Sequence, residues 1–357
     1  MNPRRAPRPL AVAAAVAALV VTALLSNGYE RSLVIFVACD AIAALGLNVC
    51  FGFGGKVSWA QAAFMGAGAY TAAILTTTYH MPMLLALAAA IVVSAMLGLL
   101  VGLPTSRMQG HYLAIATIAF LEVVSTVLTD DSALTKGVYG VSNIAPIGLT
   151  RSVAIHSERV VALLLVAVMV LAAFAVSRIR SSPTGLALRA MRDDELAAQT
   201  FGVSRARYNT LVFVTSAVFA GLAGCLYADA VGYVSPDTYS LTLSINIFVM
   251  VLVGGTGTIV GPILGAVIIV VVPQLLESLG LWIDVAEGVL IIVFLVLLPG
   301  GLVSLGNVRD ATSTTRLRID ELRRSRPAKR SPQRQRDDSS AGTALGTDTA
   351  LGPEAAK

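Results

Sequence analysis

Within seven residues the chain places Arg189, Arg192, Asp193, Asp194 and Glu195, set among Leu186, Leu188, Met191, Leu196 and Phe201. That alternation predicts a short helix over 186–201 with one charged and one apolar aspect, and Gly202 follows as a residue suited to ending it. A mixed-sign cluster of this kind can form ion pairs with a protein surface. It also suits a solvated connecting helix whose charges have no fixed partner, and the spacing alone does not choose between them.

A second group of candidates sits inside long apolar runs. Asp40 and Glu122 fall near the middle of two such runs, with Asn48, Gln61 and Asn246 as the principal polar companions in others. A charge at membrane depth costs several kcal/mol and marks function by default. Each of these side chains has two readings, a place along a water-filled route or a hydrogen bond between helices. Small residues form a third pattern: Gly66 and Gly68, then Gly254, Gly255, Gly257 and Gly261, which let helices approach closely.

Several chemistries are missing from the sequence. No Gly-Lys-Ser/Thr follows the second glycine cluster, so no phosphate loop is expected and no nucleotide should bind to this chain. No nucleophile elbow or His-Glu-x-x-His pair occurs, and His80, His111 and His156 stand alone. Cys39, Cys50 and Cys225 lie in apolar runs without metal-ligand spacing, which reads as packing. Neither a metal nor a bound cofactor is expected, and the chain is not expected to be an enzyme.

The elements that must position these residues follow from composition. The chain is 56% hydrophobic and 13% charged, where a soluble domain carries about 25% charge. Its apolar runs are near the length that crosses a hydrocarbon core of about 30 Å. They predict an all-α integral membrane protein with about ten transmembrane helices, at 9–25, 32–52, 58–76, 83–103, 112–129, 160–178, 208–230, 241–255, 259–276 and 284–301. The pair flanking Gly254 to Gly261 is short and can instead form a broken or re-entrant element. The first run, preceded by Arg4, Arg5 and Arg8, reads as a retained helix rather than a cleaved signal peptide.

Charge then sets orientation, because cytoplasmic loops hold the excess of Lys and Arg. With the N-terminus inside, only Arg31, Lys136, Arg151 and Arg159 fall outside and the remaining 22 of 26 basic residues fall inside. Tyr29, Tyr79, Tyr233 and Trp282 then lie at outer boundaries, and Trp59, Tyr112 and Tyr208 at inner ones. The expected organisation is a cytoplasmic segment 1–8, a membrane domain 9–301 with an external loop 130–159 and a cytoplasmic loop 181–207, and a tail 305–357. The tail is too poor in apolar residues to offset the cost of ordering and is expected to be disordered and cytoplasmic. Its basic half, Arg316 to Arg336, suits anionic lipid headgroups, not nucleic acid.

Taken in order, several stretches resemble the branched-chain amino acid permease family of bacterial ABC importers, in particular its LivM-like branch. They are Leu47-Asn48 through Gly54-Gly55-Lys56-Val57-Ser58, Gln61 through Tyr70-Thr71, Gly110-His111-Tyr112 through Thr117, Ser182-Pro183 through Glu195, and Val253 through Gly261-Pro262. The resemblance runs from about residue 35 to 300. It implies a permease of the type II importer kind in the bacterial inner membrane, driven by ATP that a separate ATPase subunit uses. It further implies a second, LivH-like permease and an extracytoplasmic binding protein. Ala187 to Gly202 would be the helix that seats in the ATPase, with Arg189, Arg192, Asp193, Asp194, Glu195, Ala198 and Gly202 as its contacts. Asn48, Gln61, Tyr70, Glu122 and Asn246 become candidates for lining the translocation path. Branched-chain amino acids are the expected substrates, urea or short amides the alternative, and an ion-coupled secondary transporter the rival built on Asp40 and Glu122.

Overall fold

A computed structural model describes residues 28–106, 108, 110–130, 135–144, 157–275, 288–289, 292–293 and 301–302. Segment 1–8, the first expected span, most of the last one and the tail 305–357 lie outside the described residues. So do 131–134 and 145–156 of the expected external loop.

The described chain is mostly helical, with one two-residue strand pairing. Helix α1, Gly28–Leu47, continues into a π-helical turn, Asn48–Phe53. There follow α2, Gln61–Thr77; α3, Met83–Thr105; α4, His111–Asp130; and α5, Glu158–Ser181. Two short helices, α6 (Pro183–Asp193) and α7 (Glu195–Thr200), precede α8, Arg205–Val231. The shorter α9, Leu241–Gly254, and α10, Val260–Leu275, complete the order. Five segments among the described residues are long and apolar enough to cross a membrane: Gly28–Phe53, Met83–Thr105, His111–Asp130, Glu158–Ser181 and Arg205–Val231. All five coincide with expected runs. The run expected at 58–76 begins as helix only at Gln61, because Gly55, at φ +66°, turns the chain and Gly55 to Trp59 are not helical.

A helix that is apolar all round belongs in the interior. Accordingly α1 is the most enclosed of the five, and it packs against α5, α8 and α10. Helix α8 packs on α1, α2 and α3. Small residues make those crossings possible. A Cβ at Gly68 would stand 2.3 Å from the Gly221 carbonyl oxygen, and one at Gly224 would stand 1.9 Å from that of Met65. The α9–α10 hairpin is equally close: a Cβ at Gly254 would lie 1.8 Å from the Gly261 carbonyl oxygen, and one at Gly265 would lie 1.9 Å from that of Met250. At Gly66 the neighbour is the Tyr239 ring, 3.0 Å away. Overpacking by one methyl costs about 1–3 kcal/mol. Gly224→Ala is therefore expected to lower the melting temperature of the detergent-purified chain by several degrees, while Gly28→Ala, with its nearest neighbour at 3.6 Å, leaves it unchanged. Equal melting curves would show that this crossing has slack.

The end of α8 carries a small cap. Val141–Ser142 pairs antiparallel with Tyr233–Val234, in the register Val141 to Val234. The Tyr233 hydroxyl donates to the Tyr139 carbonyl at 3.1 Å. Tyr239 is buried against the Tyr70 ring, edge to face with centroids 6.4 Å apart.

Candidate functional site

The single helix expected over 186–201 is two helices. Asp194 takes an extended conformation, φ −151°, and its carboxylate accepts from the Leu196 and Ala197 amides, both at 3.0 Å. An aspartate used as an N-cap must leave helical geometry, which is why the chain breaks there and restarts. Ser182 caps α6 in the same way, its hydroxyl accepting from the Gly185 amide at 3.2 Å, with Pro183 behind it in the first turn. Gly202, at φ +83° with open space around it, ends α7.

The pair is anchored from within. Leu188, Met191 and Ala198 are buried. Arg189 donates through Nε to the Gly185 carbonyl and through a terminal nitrogen to the Arg180 carbonyl, both at 3.1 Å, and so closes the end of α5. The Arg192 guanidinium donates to the Gly52 carbonyl in the π-helical turn. Glu195 lies between two cations, 3.5 Å from Lys56 Nζ and 2.5 Å from Arg205 Nε, all three side chains being largely shielded. Two elements of the membrane domain, the turn after α1 and the start of α8, are thus tied to one carboxylate.

The π-helical turn passes the connection deeper. Asn48 is fully buried; its amide nitrogen donates to the Thr258 carbonyl at 2.6 Å and its amide oxygen accepts from the Gly257 amide at 2.8 Å. Both bonds hold the loop between α9 and α10. Gly257 needs its φ of +72°, and a Cβ there would lie 3.5 Å from the Arg192 guanidinium. Gly255, at φ +116°, opens the same loop. A continuous set of contacts therefore runs from α6 and α7 through Gly52 and Asn48 to the α9–α10 loop.

The residues picked out in the sequence separate into three groups. Arg189, Arg192 and Glu195 bond within the chain, and Ala198 is buried, while Asp193, Asp194 and Gly202 are exposed. Of the candidates for lining a route, Asn48 and Gln61 are committed: the Gln61 amide donates to the Ala43 carbonyl at 2.8 Å and accepts from the Ser216 hydroxyl at 2.9 Å. Tyr70 is 2% exposed behind Tyr239. Glu122 and Asn246 remain. Glu122 is exposed on α4, whose opposite face buries Leu113, Thr117, Leu121 and Leu128, and Asn246 borders a cavity with Asp40.

Sequence reasoning missed Lys56 and Arg205 as partners of Glu195, since they lie 139 residues before and 10 after it. It also missed the exposure of Leu196 (78%) and Phe201 (88%). The buried carboxylate of Asp229 was not singled out either. Among the described residues no group of His, Cys, Asp and Glu is placed to hold a metal.

Comparison with known proteins gives the family. The family model described as "Branched-chain amino acid transport system / permease component" matches residues 30–298. The high-affinity branched-chain amino acid transport system permease protein LivM of Salmonella typhimurium strain LT2 is 34% identical over 283 residues, covering 73% of this chain and 67% of that protein. The LivM of Escherichia coli strain K12 is 33% identical with the same coverage. A probable LivM of Methanocaldococcus jannaschii is 28% identical over 233 residues, covering 60% of this chain and 67% of its own length. No solved structure matches the chain. With its family match spanning α1 through α10 and its several apolar helices, this multi-pass membrane protein belongs to the permease component family of branched-chain amino acid transport systems.

Proposed function

We propose that the chain is the translocating subunit of an ATP-driven importer for branched-chain amino acids. It would have ten spans in a type II arrangement, with both termini in the cytoplasm. A separate ATPase pair hydrolyses the ATP, a second, LivH-like permease completes the pore, and an extracytoplasmic binding protein delivers substrate. ATP-driven closure of the ATPases moves α6 and α7, and the permease pair alternates between inward and outward openings. Glu122 supports the need for a second permease, because a carboxylate exposed at mid-helix is too costly to leave in lipid. On α4 it would face the partner and the water between them.

The observation that carries this reading is the division of labour on α6 and α7. Arg189, Arg192 and Glu195 grip the membrane domain, while Leu196 and Phe201, with Leu186, project into solvent. Large apolar groups held outward on a braced helix are what a partner pocket takes up. The test is reconstitution of this chain with the ATPases, second permease and binding protein in proteoliposomes, with a panel of branched-chain amino acids, urea and short amides. ATP-dependent uptake of leucine, isoleucine or valine is expected. Leu196→Asp combined with Phe201→Asp should lower co-purification of the ATPase by at least about tenfold, the loss expected of truncated anchor residues. Uptake without ATP, or undiminished ATPase recovery, would sink the assignment.

A further inference from the structure

Helices α1, α9 and α10, with Met65 of α2 and Tyr227 of α8, border an open cavity of about 300 Å³, at the small end of the range that holds small-molecule ligands. Leu243, Ile269 and Val270 give it an apolar wall, and Asp40 and Asn246 line it beside the polar side chains of Tyr227 and Thr238. Asp40 lies in the middle of α1, where its neighbours Cys39, Ala41 and Ile42 are 0% exposed. Asp40 itself is partly accessible, and it does not take part in any hydrogen bond or ion pair with the described residues. Among the described residues none bonds the Asn246 amide either. Gln274, at the same cavity, already has its amide oxygen taken by the Tyr29 hydroxyl.

A carboxylate at this depth without a partner is costly, and the cost is removed when a cation docks on it. The pairing also constrains which cation. An ammonium offers three donors to the carboxylate, the asparagine amide can donate to a second, anionic group, and the walls suit a branched aliphatic body. One compact molecule has all three features. We infer that this cavity is a binding site for a zwitterionic aliphatic amino acid, with its α-ammonium on Asp40, its carboxylate at Asn246 and its side chain against Leu243, Ile269 and Val270. The site rests on the importer reading above and adds to it a selecting step inside the permease, separate from selection by the binding protein.

The experiment uses the complete importer in proteoliposomes, and measures leucine uptake and binding-protein-stimulated ATP hydrolysis together. Asp40→Asn keeps the shape and removes the charge. It should lower uptake by about tenfold to a hundredfold, the scale of a lost hydrogen bond to a charged group, with ATP hydrolysis and assembly preserved. A second readout needs no transport: Thr238→Cys, at the cavity's exposed rim and outside the groups assigned to the ligand, should be labelled by a small maleimide in the assembled complex. L-Leucine should slow that labelling, and 4-methylpentanoate, which lacks the ammonium, should not. If the wild-type importer takes up no branched-chain amino acid, the importer reading fails. If wild type does so, and Asp40→Asn matches it or leucine gives no protection, this site is wrong and the importer reading stands.

Discussion

Replacing Glu195 with lysine is expected to abolish uptake by the assembled importer while the permease still accumulates in the membrane. The carboxylate is held by Lys56 and Arg205 at 3.5 and 2.5 Å, so the substitution places three cations together where two had one anion between them. Breaking a largely desolvated pair in this way costs about 2–5 kcal/mol. The membrane helices do not depend on it, because α6 and α7 contribute few buried apolar groups, chiefly Leu188, Met191 and Ala198. What is lost is the brace that makes α7 move with the turn after α1 and with the start of α8. The family resemblance implied a contact between Glu195 and the ATPase, and the geometry gives an internal strut; the two differ in one measurable respect. Combining Glu195→Lys with Lys56→Glu restores the pairing inside the chain and should return part of the uptake. Uptake no higher in the double variant than in the single one would mean that the carboxylate answers to another protein.

How much of this was legible beforehand follows from the range of the interactions. Apolar length alone located the segments now seen as α1, α3, α4, α5 and α8, because crossing a bilayer is a one-dimensional requirement. The short α9 and α10 were legible as a weak point for the same reason, with Gly255 and Gly257 marking the break. Helix breaks that depend on one cap are harder: Asp194 reads as one charge in a cluster until its carboxylate is seen accepting two backbone amides. Polar residues within spans were the least legible. Asn48, Gln61, Glu122 and Asn246 look alike in sequence, yet Asn48 and Gln61 are consumed by bonds to residues up to 210 positions away. Only the tertiary arrangement leaves Glu122 exposed and turns Asn246 toward the cavity that Asp40 shares.

The side chain of Asn48 offers the largest expected effect on stability. It is 0% exposed and supplies the only hydrogen bonds described for the Gly257 amide proton and the Thr258 carbonyl, at 2.8 and 2.6 Å. Asn48→Leu has nearly the right size and removes both. A buried backbone group left unmet costs about 1–3 kcal/mol, and Gly257 and Thr258 are half-buried, so water replaces the lost partners only in part. Two such groups bring the expected loss to at most about 2–6 kcal/mol, still a large part of the stability of an ordinary domain. Asn48→Asp should be intermediate in geometry but no milder, because it keeps an acceptor for the Gly257 amide and gives up the donor to Thr258 while adding a charge. Crowding worsens either case, since a Cβ at Gly52 would already lie 2.1 Å from the Asn48 amide oxygen. The measurement is the melting temperature and monodisperse yield of each variant in detergent, beside leucine uptake. Low yield and early melting for Asn48→Leu are expected. A variant as stable as wild type that only slows uptake would instead place Asn48 on the substrate's route, with the α9–α10 loop held by other contacts.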